Sequence, residues 1–338
     1  MNKSHVLCQY TSKFGISSKL QELMCLLAHD HVFEESENLF HVFLGLDVSA
    51  KQIQRVSEHH GEQLEEYEKI YQEDLGQTHQ AVPTVPQSVP VVSKDSEESV
   101  YVMVDGSMVY TREDKWKEMK VGRIYSENSR VLVSKNRTEV TDSLYVCTLG
   151  GKNDFFKKFD PYVEPYRKKI FIADGAKWIW NWVDDFYGDS VQILDFYHAL
   201  EKLGSYAALA YKDSEERKKW REEQKQRLKT DGVEDVLKDL SKTAEKISDK
   251  TEVGKALNDL IRYYENNIER MKYGSFTEKG YLIGSGAVES AHRNIIQQRL
   301  KRSGQRWSIH GAQRIANIRA YRIGNRWEEV IFQIKKAA

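Results

Sequence analysis

The segment from residue 170 to residue 195 decides the fold. It reads Ile170-Phe-Ile-Ala-Asp-Gly175, then a tryptophan-rich stretch, then Val191-Gln-Ile-Leu-Asp195. Each end of the segment is a short apolar run typical of a buried strand, and the stretch between them has helical length. Strands that alternate with helices predict an α/β domain with parallel pairs. A similar apolar run, Tyr101-Val-Met-Val104, is predicted to be a strand that ends at Asp105-Gly106.

The chain divides into three predicted parts. Residues 1–75 are predicted to form a small helical domain, because Leu20, Leu23, Met24 and Leu27 recur at helical spacing. Residues 76–99 hold three of the five prolines and are expected to be a linker. Residues 100–335 form the α/β domain. Its region from about 200 to 275 is rich in Lys, Glu, Leu and Ala, which predicts a helical insertion.

Residues 45–61 have the character of a helix-turn-helix. Gly45 ends one predicted helix, and Ser49-Ala-Lys-Gln52 is a capping-box pattern that opens the next. In that next helix Ile53 and Val56 are expected to face inward, while Lys51 and Arg55 face out. Such a helix can enter a DNA major groove. Three-helix packing without DNA binding explains the pattern equally well.

Composition favours a folded protein of the cytoplasm. The 338 residues include 51 Lys and Arg against 51 Asp and Glu, and three cysteines that lie far apart. Widely spaced cysteines give neither a metal pair nor a disulfide framework. No apolar run has the length of a membrane helix. The zero net charge argues against a nucleic-acid partner unless the basic residues are concentrated in one region.

They are concentrated near the C-terminus. No Asp or Glu occurs from Ser290 to Trp327. The basic residues of this stretch are Arg293, Arg299, Lys301, Arg302, Arg306, Arg314, Arg319, Arg322 and Arg326. Such a run needs a polyanionic partner such as DNA, or acidic groups elsewhere in the fold.

Three carboxylates are candidate metal ligands. Asp105 and Asp174 each follow an apolar run and precede a glycine, and Glu289 follows the glycine turn of residues 284–286. Ligands gather at the carboxyl ends of strands in α/β sheets, and Mg²⁺ prefers carboxylate oxygens. Taken singly, each Asp is also explained as a loop or helix cap, and Glu289 as a carboxylate that stabilises a helix N-terminus.

Four stretches resemble the DDE transposases of bacterial insertion sequences, specifically the Kra-type family. They are Val104-Asp-Gly106, Ile172-Ala-Asp-Gly-Ala-Lys-Trp-Ile-Trp180, Leu194-Asp-Phe-Tyr-His-Ala-Leu200, and Ile283-Gly-Ser-Gly-Ala-Val-Glu289 followed by Arg299-Leu-Lys-Arg-Ser-Gly-Gln-Arg-Trp307. The resemblance spans about residues 16 to 335, and the last two stretches are the most specific.

The resemblance implies an RNase H-like fold in which Asp105, Asp174 and Glu289 bind two Mg²⁺ or Mn²⁺ ions. It implies cleavage of element ends and strand transfer into target DNA, and a homodimer or higher oligomer associated with the nucleoid. His198 is then expected to position a DNA phosphate or metal-bound water, and Asp195 to support the site from behind. A purely structural role for His198 stays open.

DNA contacts are expected from Arg293, Arg299, Lys301, Arg302, Arg306 and Trp307, in addition to Lys51 and Arg55. Of the neighbouring Trp178, Trp180 and Trp182, at least one is expected to pack in the core. The family also implies sequence before residue 1, so a truncated copy is expected. Two alternatives remain: a non-catalytic DNA-binding remnant, and an RNase H-like nuclease such as a resolvase.

Overall fold

The computed structural model describes residues 13–76, 97–134 and 137–337. In these residues the chain is mixed α/β, with a five-stranded mixed sheet and many helices, which confirms the predicted α/β class. The chain divides into two compact units. Unit 1 comprises residues 1–168 and 287–338, and unit 2 comprises residues 169–286. The linker expected at 76–99 lies almost entirely outside the described residues.

The strands are β1 (Ser99–Thr111), β2 (Lys115–Ser126), β3 (Arg130–Ser134), β4 (Arg137–Val140), β5 (Leu144–Leu149), β6 (Lys168–Ala173) and β7 (Val191–Leu194). The α-helices are α1 (Ser18–Ala28), α2 (Phe33–Leu44), α3 (Ala50–Gly76), α4 (Lys152–Val163), α5 (Lys177–Phe186), α6 (Phe196–Ala210), α7 (Ser214–Lys229), α8 (Val233–Ala244), α9 (Glu252–Glu265), α10 (Tyr273–Glu278), α11 (Gly286–Ala291), α12 (Gln298–Leu300), α13 (Ile309–Ile323) and α14 (Trp327–Ala337). A π-helical segment, His292–Gln297, joins α11 to α12.

Unit 1 begins with the three predicted helices. Gly45, at a left-handed φ of 63°, ends α2, and Ser49 Oγ accepts a hydrogen bond of 3.3 Å from Gln52 N at the start of α3. Ile53 and Val56 are fully buried with Met24 in one apolar cluster, while Lys51 and Arg55 are exposed. The predicted helices, their boundaries and the inward face of α3 are therefore confirmed.

These helices share a compact unit with strands β1–β5 and the C-terminal helices. The reason is a close contact between α3 and α13. Asn317 Nδ2 donates to Gly61 O at 3.3 Å and to Glu65 Oε1 at 3.0 Å. A side chain at Gly61 would collide with the backbone of Arg314, so this glycine permits the approach of the two helices.

The sheet portion of unit 1 is antiparallel. β1 pairs with β2 from Val100↔Ser126 to Thr111↔Lys115, and β2 pairs with β5. The prediction that the strand ends at Asp105 is wrong, because this pairing continues through Asp105↔Val121 and Gly106↔Lys120. Tertiary pairing thus overrides the local turn signal of Asp-Gly.

Unit 2 contains the predicted β-α-β pattern. β6 and β7 are parallel, with Ile170 opposite Val191 and Ala173 opposite Leu194. Trp180 and Trp182 of α5 are buried, and the ring of Trp182 packs edge-on against Phe171 at 5.5 Å between centroids. The expected core role for at least one of these tryptophans is confirmed.

The predicted insertion is confirmed as helical, since α6–α10 fill the chain from Phe196 to Glu278. Tyr264 OH on α9 donates to Ala199 O on α6 at 2.9 Å, and both residues are fully buried. No helix in the described part of the chain combines the length and the apolar character needed to cross a membrane.

Candidate functional site

Asp105 lies in the middle of β1 with its side chain 33% exposed. Its Oδ1 accepts a hydrogen bond of 2.7 Å from Gly106 N. A side chain at Gly106 would meet the flexible end of the Glu118 side chain on β2, which can move aside, so this contact alone does not require a glycine after Asp105. The Asp105 carboxylate is thus presented from the body of a paired strand and not from a loop.

The side chain of His292 lies beside this carboxylate in unit 1. Its Nε2 lies 3.4 Å from Asp105 Oδ2, and its side chain is 5% exposed. Burial lowers the pKa of His292, against the opposing effect of Asp105, so the imidazole is neutral at pH 7. Sequence reasoning missed His292, although it follows Glu289 by three positions, a spacing that places two side chains on one helical face.

Lys301 supplies a cation on the same side of unit 1. Its Nζ donates to Ser107 Oγ at 2.6 Å, two residues after Asp105. Partial burial lowers the pKa of Lys301, while the charge of Asp105 raises it. A carboxylate, a neutral imidazole and an ammonium group therefore surround one stretch of β1.

Glu289 is exposed in the first turn of α11, as predicted. The π-helical segment follows directly and begins at His292. Single π turns inside α-helices occur frequently at functional sites, because the extra residue redirects neighbouring side chains. Here the π segment begins at the residue that contacts Asp105.

Arg123 of β2 anchors the start of the Glu289 helix. Its Nη1 donates to Ala287 O at 2.5 Å, and its Nε donates to Ser143 Oγ at 3.0 Å. The guanidinium lies between the rings of Tyr125 and Tyr145, at 5.3 and 5.2 Å from their centroids. Arg123 lies within the β1–β2 hairpin, two residues beyond Val121, the partner of Asp105. No local sequence signal indicated this role.

Asp174 lies directly after β6, so its predicted place at a strand end is confirmed. Its Oδ1 accepts a hydrogen bond of 3.0 Å from Ala176 N, and Trp180 Nε1 donates to its backbone oxygen at 2.6 Å. A side chain at Gly175 would collide with the Tyr263 ring. The Asp-Gly turn is therefore fixed in unit 2 by α5 and α9.

Asp195 and His198 form an aspartate–histidine pair in unit 2. Asp195 is fully buried and caps α6; its Oδ1 accepts a hydrogen bond of 2.7 Å from His198 N, and Ser285 N donates to its Oδ2. Burial opposes the ionisation of Asp195, but these hydrogen bonds hold its pKa below its usual value. His198 Nδ1 lies 3.2 Å from Asp195 Oδ1, and the carboxylate raises the pKa of His198 to about 9.

The predicted triad is drawn from both units: Asp105 and Glu289 belong to unit 1 and Asp174 to unit 2. Within the described residues, no three His, Cys, Asp or Glu side chains are grouped so that they could hold a metal ion. The metal ligands therefore stay a prediction.

Four cations of the basic segment are paired with carboxylates inside unit 1. Arg319 and Arg326 are 2% or less exposed; Arg319 Nη1 lies 3.2 Å from Asp30 Oδ1, and Arg326 makes two hydrogen bonds of 2.7 Å to Glu329. Two further pairs join Arg302 to Glu35 at 3.4 Å and Arg314 to Glu62. Acidic groups elsewhere in the fold, one of the two explanations offered by the sequence, therefore account for four of the nine cations.

Arg299 and Trp307 are buried, whereas residues that contact DNA are expected on an open surface. Arg299 is 1% exposed, and Trp307 is 6% exposed. The Arg299 guanidinium contacts the rings of both Phe33 and Trp307, at 4.9 and 4.8 Å from their centroids, and its Nε donates to Ala28 O at 2.9 Å. Packing against α1 and α2 removes both side chains from the outer surface. Of the cations predicted to contact DNA, the exposed ones are Arg293, Lys301, Arg302, Arg306, Lys51 and Arg55.

Comparison with known proteins places these features in a family. Among curated proteins, no sequence matches the chain significantly. The family model described as "Uncharacterised protein family (UPF0236)" matches residues 48–336. The match begins just before α3 and includes Asp105, Asp174, His198 and Glu289. Because it covers well over half of the sequence, the chain belongs to the UPF0236 family.

Proposed function

We propose that the protein is a DDE transposase of an insertion sequence, with an RNase H-like catalytic domain. On this proposal Asp105, Asp174 and Glu289 hold Mg²⁺ or Mn²⁺ ions, and the substrate is double-stranded DNA at the element ends and at the target. The resemblance of the motif-bearing stretches to Kra-type transposases provides the reaction class. The local geometry of each unit supports the roles of individual residues.

One observation carries the proposal. In unit 1 the Glu289 helix is attached to the strands that carry Asp105, although the two carboxylates are far apart in sequence. Arg123 of β2 binds Ala287 O, and His292 lies 3.4 Å from Asp105. Glu289 is exposed in α11, three residues before His292, and on this proposal its carboxylate approaches that of Asp105. A helix cap alone does not require this attachment.

The donor set suits a hard divalent cation in its chemistry. All three predicted ligands are carboxylates, and Mg²⁺ binds through a few carboxylates together with substrate phosphates. Two such ions, when bound, would activate the attacking oxygen and stabilise the leaving oxygen of a phosphodiester. Gly175 leaves no room for a side chain beside the Tyr263 ring, which holds the backbone next to Asp174, and Gly106 N donates a hydrogen bond to the Asp105 carboxylate.

His198 is suited to contact a DNA phosphate. Its pKa of about 9 makes it a cation at neutral pH, and its side chain is 34% exposed. Asp195, which is completely buried, holds the His198 ring through the contact with Nδ1 and compensates its charge. In this arrangement Asp195 orients His198 and binds no metal ion itself. A protonated imidazole can donate a hydrogen bond to a phosphate but cannot act as a base, so we assign His198 a binding role.

The proposed DNA surface consists of the exposed cations of unit 1. Arg293, Lys301, Arg302 and Arg306 belong to the C-terminal segment, and Lys51 and Arg55 to the start of α3. Arg299 and Trp307 are not part of this surface, because they are buried. Each phosphate contact adds about one to the slope of log affinity against log salt. Arg293→Gln is therefore expected to lower that slope by about one, and Arg326→Gln to leave it unchanged.

The test is metal-dependent nicking of a plasmid that carries the DNA flanking the gene. Asp105→Asn, Asp174→Asn and Glu289→Gln should each reduce nicking by roughly a thousandfold or more, because the three ligands act as a unit. Asp185→Asn is the matched control, since Asp185 is an exposed carboxylate on α5 close to Asp174 in sequence. Full activity in any of the three variants would remove that residue from the triad.

A second candidate function is supported by one observation. The exposed cations of unit 1 can bind DNA phosphates without any metal ion, as in a DNA-binding protein without catalysis. Such a protein would bind the flanking DNA with the same salt dependence but would not bind Mn²⁺ or nick. Calorimetric titration with Mn²⁺ separates the two functions: binding that is lost in Asp105→Asn supports the transposase, and no binding supports the alternative.

A further inference from the structure

A pocket of about 350 Å³ opens in unit 1 beside the loop of residues 301–306. Three of its lining residues are arginines, Arg112, Arg299 and Arg306. Arg112 and Arg306 are exposed at its rim, and Arg299 lies at its inner wall. Glu34 is the single acidic residue in the lining, so the formal charge of the pocket is positive.

The inner wall holds a buried cation that forms no direct ion pair. Among the residues that the structure describes, no carboxylate forms an ion pair with Arg299, and its Nη2 has no hydrogen-bond partner. Burial lowers the pKa of Arg299 to about 9, with a further contribution from Arg319 and Arg302, while Asp30 and Glu34 oppose the shift. A buried, uncompensated charge is costly, and an anion in the pocket would compensate it.

The pocket is already formed by backbone contacts. Arg112 N donates to Trp307 O at 2.8 Å, which ties the end of the loop to the end of β1. Trp307 Nε1 donates back to Leu300 O at 3.2 Å, and Gly304 adopts a left-handed φ of 76° at the turn. A loop closed at both ends keeps its rim groups in place, so little ordering is needed when a ligand binds.

Amide groups complete the lining. Gln54 and Gln305 both face the pocket. With its amide turned to satisfy its neighbours, Gln305 accepts from Arg299 Nη1 at 3.3 Å and donates to Arg299 O at 2.6 Å. This contact fixes the guanidinium plane but leaves Nη2 without an acceptor. Arginine donors around a small, preformed cavity are the chemistry that recognises phosphate oxygens.

We infer that this pocket is a phosphate-binding site, with Arg112 and Arg306 as the direct donors and Arg299 as the buried charge behind them. The phosphate group belongs either to a DNA strand or to a free phosphate compound. DNA as its source rests on the proposed function, whereas the phosphate chemistry does not. The site requires neither the triad nor a metal ion.

The first experiment is calorimetric titration of the full chain with inorganic phosphate, without divalent metal. Arg112→Gln and Arg306→Gln should each lower phosphate affinity about tenfold, the effect of one charge-assisted hydrogen bond. Glu34→Gln should raise the affinity, because it removes the opposing carboxylate. Arg262→Gln is the matched control, since it removes an exposed arginine that belongs neither to the pocket lining nor to the proposed DNA surface and should leave phosphate binding unchanged.

Arg112 and Arg306 are exposed, so their variants should fold as the wild type does. Arg299 is buried, so Arg299→Lys tests the buried charge only if its unfolding curve matches that of the wild type. Absence of phosphate binding by the wild type would overturn the inference. Equal losses in Arg262→Gln and the pocket variants would overturn it as well, because they would indicate diffuse electrostatic binding.

A second experiment identifies the source of the phosphate. If a DNA strand supplies it, inorganic phosphate competes with a labelled oligonucleotide, and Arg306→Gln weakens DNA binding more than Arg293→Gln does. If a free compound supplies it, phosphate binding depends on Arg306 while DNA affinity does not. Both outcomes support a phosphate-binding site in the pocket. Failure of the nicking test would affect the triad alone, because no step here requires cleavage.

Discussion

Each unit contains an aspartate beside a histidine, but the histidine of unit 1 is neutral at pH 7 and the histidine of unit 2 is positively charged. In unit 1 the histidine is the buried member: His292 is 5% exposed and Asp105 is 33% exposed. In unit 2 the aspartate is buried: Asp195 is fully inaccessible, and His198 is 34% exposed. The pKa of His292 is lowered, whereas that of His198 is raised to about 9.

The difference lies in the support given to the carboxylate. Asp195 accepts hydrogen bonds from two backbone N–H groups, His198 N and Ser285 N, so it stays ionised in the interior and draws a proton onto His198. Asp105 is half-exposed, accepts from the backbone N–H of Gly106, and leaves the buried His292 uncharged. A solvated carboxylate can exchange its partner for a metal ion at little cost, and a buried one cannot.

The largest expected effect comes from removing the buried carboxylate. Asp195→Ala should lower the free energy of unfolding by about 3 kcal/mol or more, because it deletes a helix cap and leaves buried donors without an acceptor. Urea denaturation measures the change.

The matched control is Asp213→Ala. Asp213 also caps a helix, accepting from Glu215 N and Glu216 N at 2.9 and 2.8 Å, but in an exposed position. It should cost about 1 kcal/mol. Asp105→Ala should cost no more than this control. Equal destabilisation by Asp105→Ala and Asp195→Ala would mean that the two pairs are not different in kind.

The next effect concerns the attachment of the Glu289 helix. Arg123→Lys should lower the free energy of unfolding by about 2 kcal/mol, since it removes donors to Ala287 O and Ser143 Oγ. It should also bring the pKa of His292 closer to its usual value, because a loosened helix admits water to the ring. NMR titration of the histidine signals measures this change; a His292 pKa that stays as low as in the wild type would show that Arg123 does not hold this helix.

A smaller effect is expected from the charge of His198. Its folded pKa of about 9 exceeds the usual 6.5, so the stabilisation is complete below pH 6.5 and is lost as pH rises through about 9. Solvent screening limits the contribution to about 1 kcal/mol. His198→Gln should therefore match the wild type more closely in stability at pH 10 than at pH 6, and a constant difference would contradict the charged pair.

The smallest expected effect comes from His292. Its contribution to stability changes with pH in the opposite direction to that of His198. Its folded pKa lies below 6.5, so its contribution is present above that pH and declines as pH falls below it. His29 and His60 share this behaviour, with pKa values lowered to about 4 and 3. The measurement must therefore compare His292→Gln with the wild type between pH 7 and pH 5. The difference in free energy of unfolding between the wild type and His292→Gln should be smaller at pH 5 than at pH 7, by well under about 1 kcal/mol. A difference that is larger at pH 5 would indicate a charged His292.

Local sequence pattern was sufficient for most elements. The three N-terminal helices, the parallel β6–β7 pair and the helices of residues 196–278 follow their predicted bounds closely. In each case the apolar spacing or a cap lies within one segment. Asp105 shows the limit: Asp-Gly is a turn signal, but pairing of β1 with β2 carries the strand through to Thr111.

The electrostatic part of the site was not available to sequence reasoning. Arg319 meets Asp30 and Arg314 meets Glu62 across more than 200 residues, so an acid-free segment had to look unpaired. The attachment of Ala287 to Arg123 and the contact between His292 and Asp105 also join distant segments. Tertiary contacts of this kind leave no periodic trace in either partner.

The π-helical segment from His292 to Gln297 determines where the chain can vary in length. A π turn holds one residue more than an α turn, so deleting a single residue inside the segment would restore a regular helix and keep nearly the same rotation between Glu289 and Arg299. Deleting a residue from the regular helix α11 would instead rotate everything that follows by about 100° around the helix axis. The contacts of Arg299 with Phe33 and Trp307 should therefore survive the loss of one residue within the π segment better than an insertion or deletion in α11.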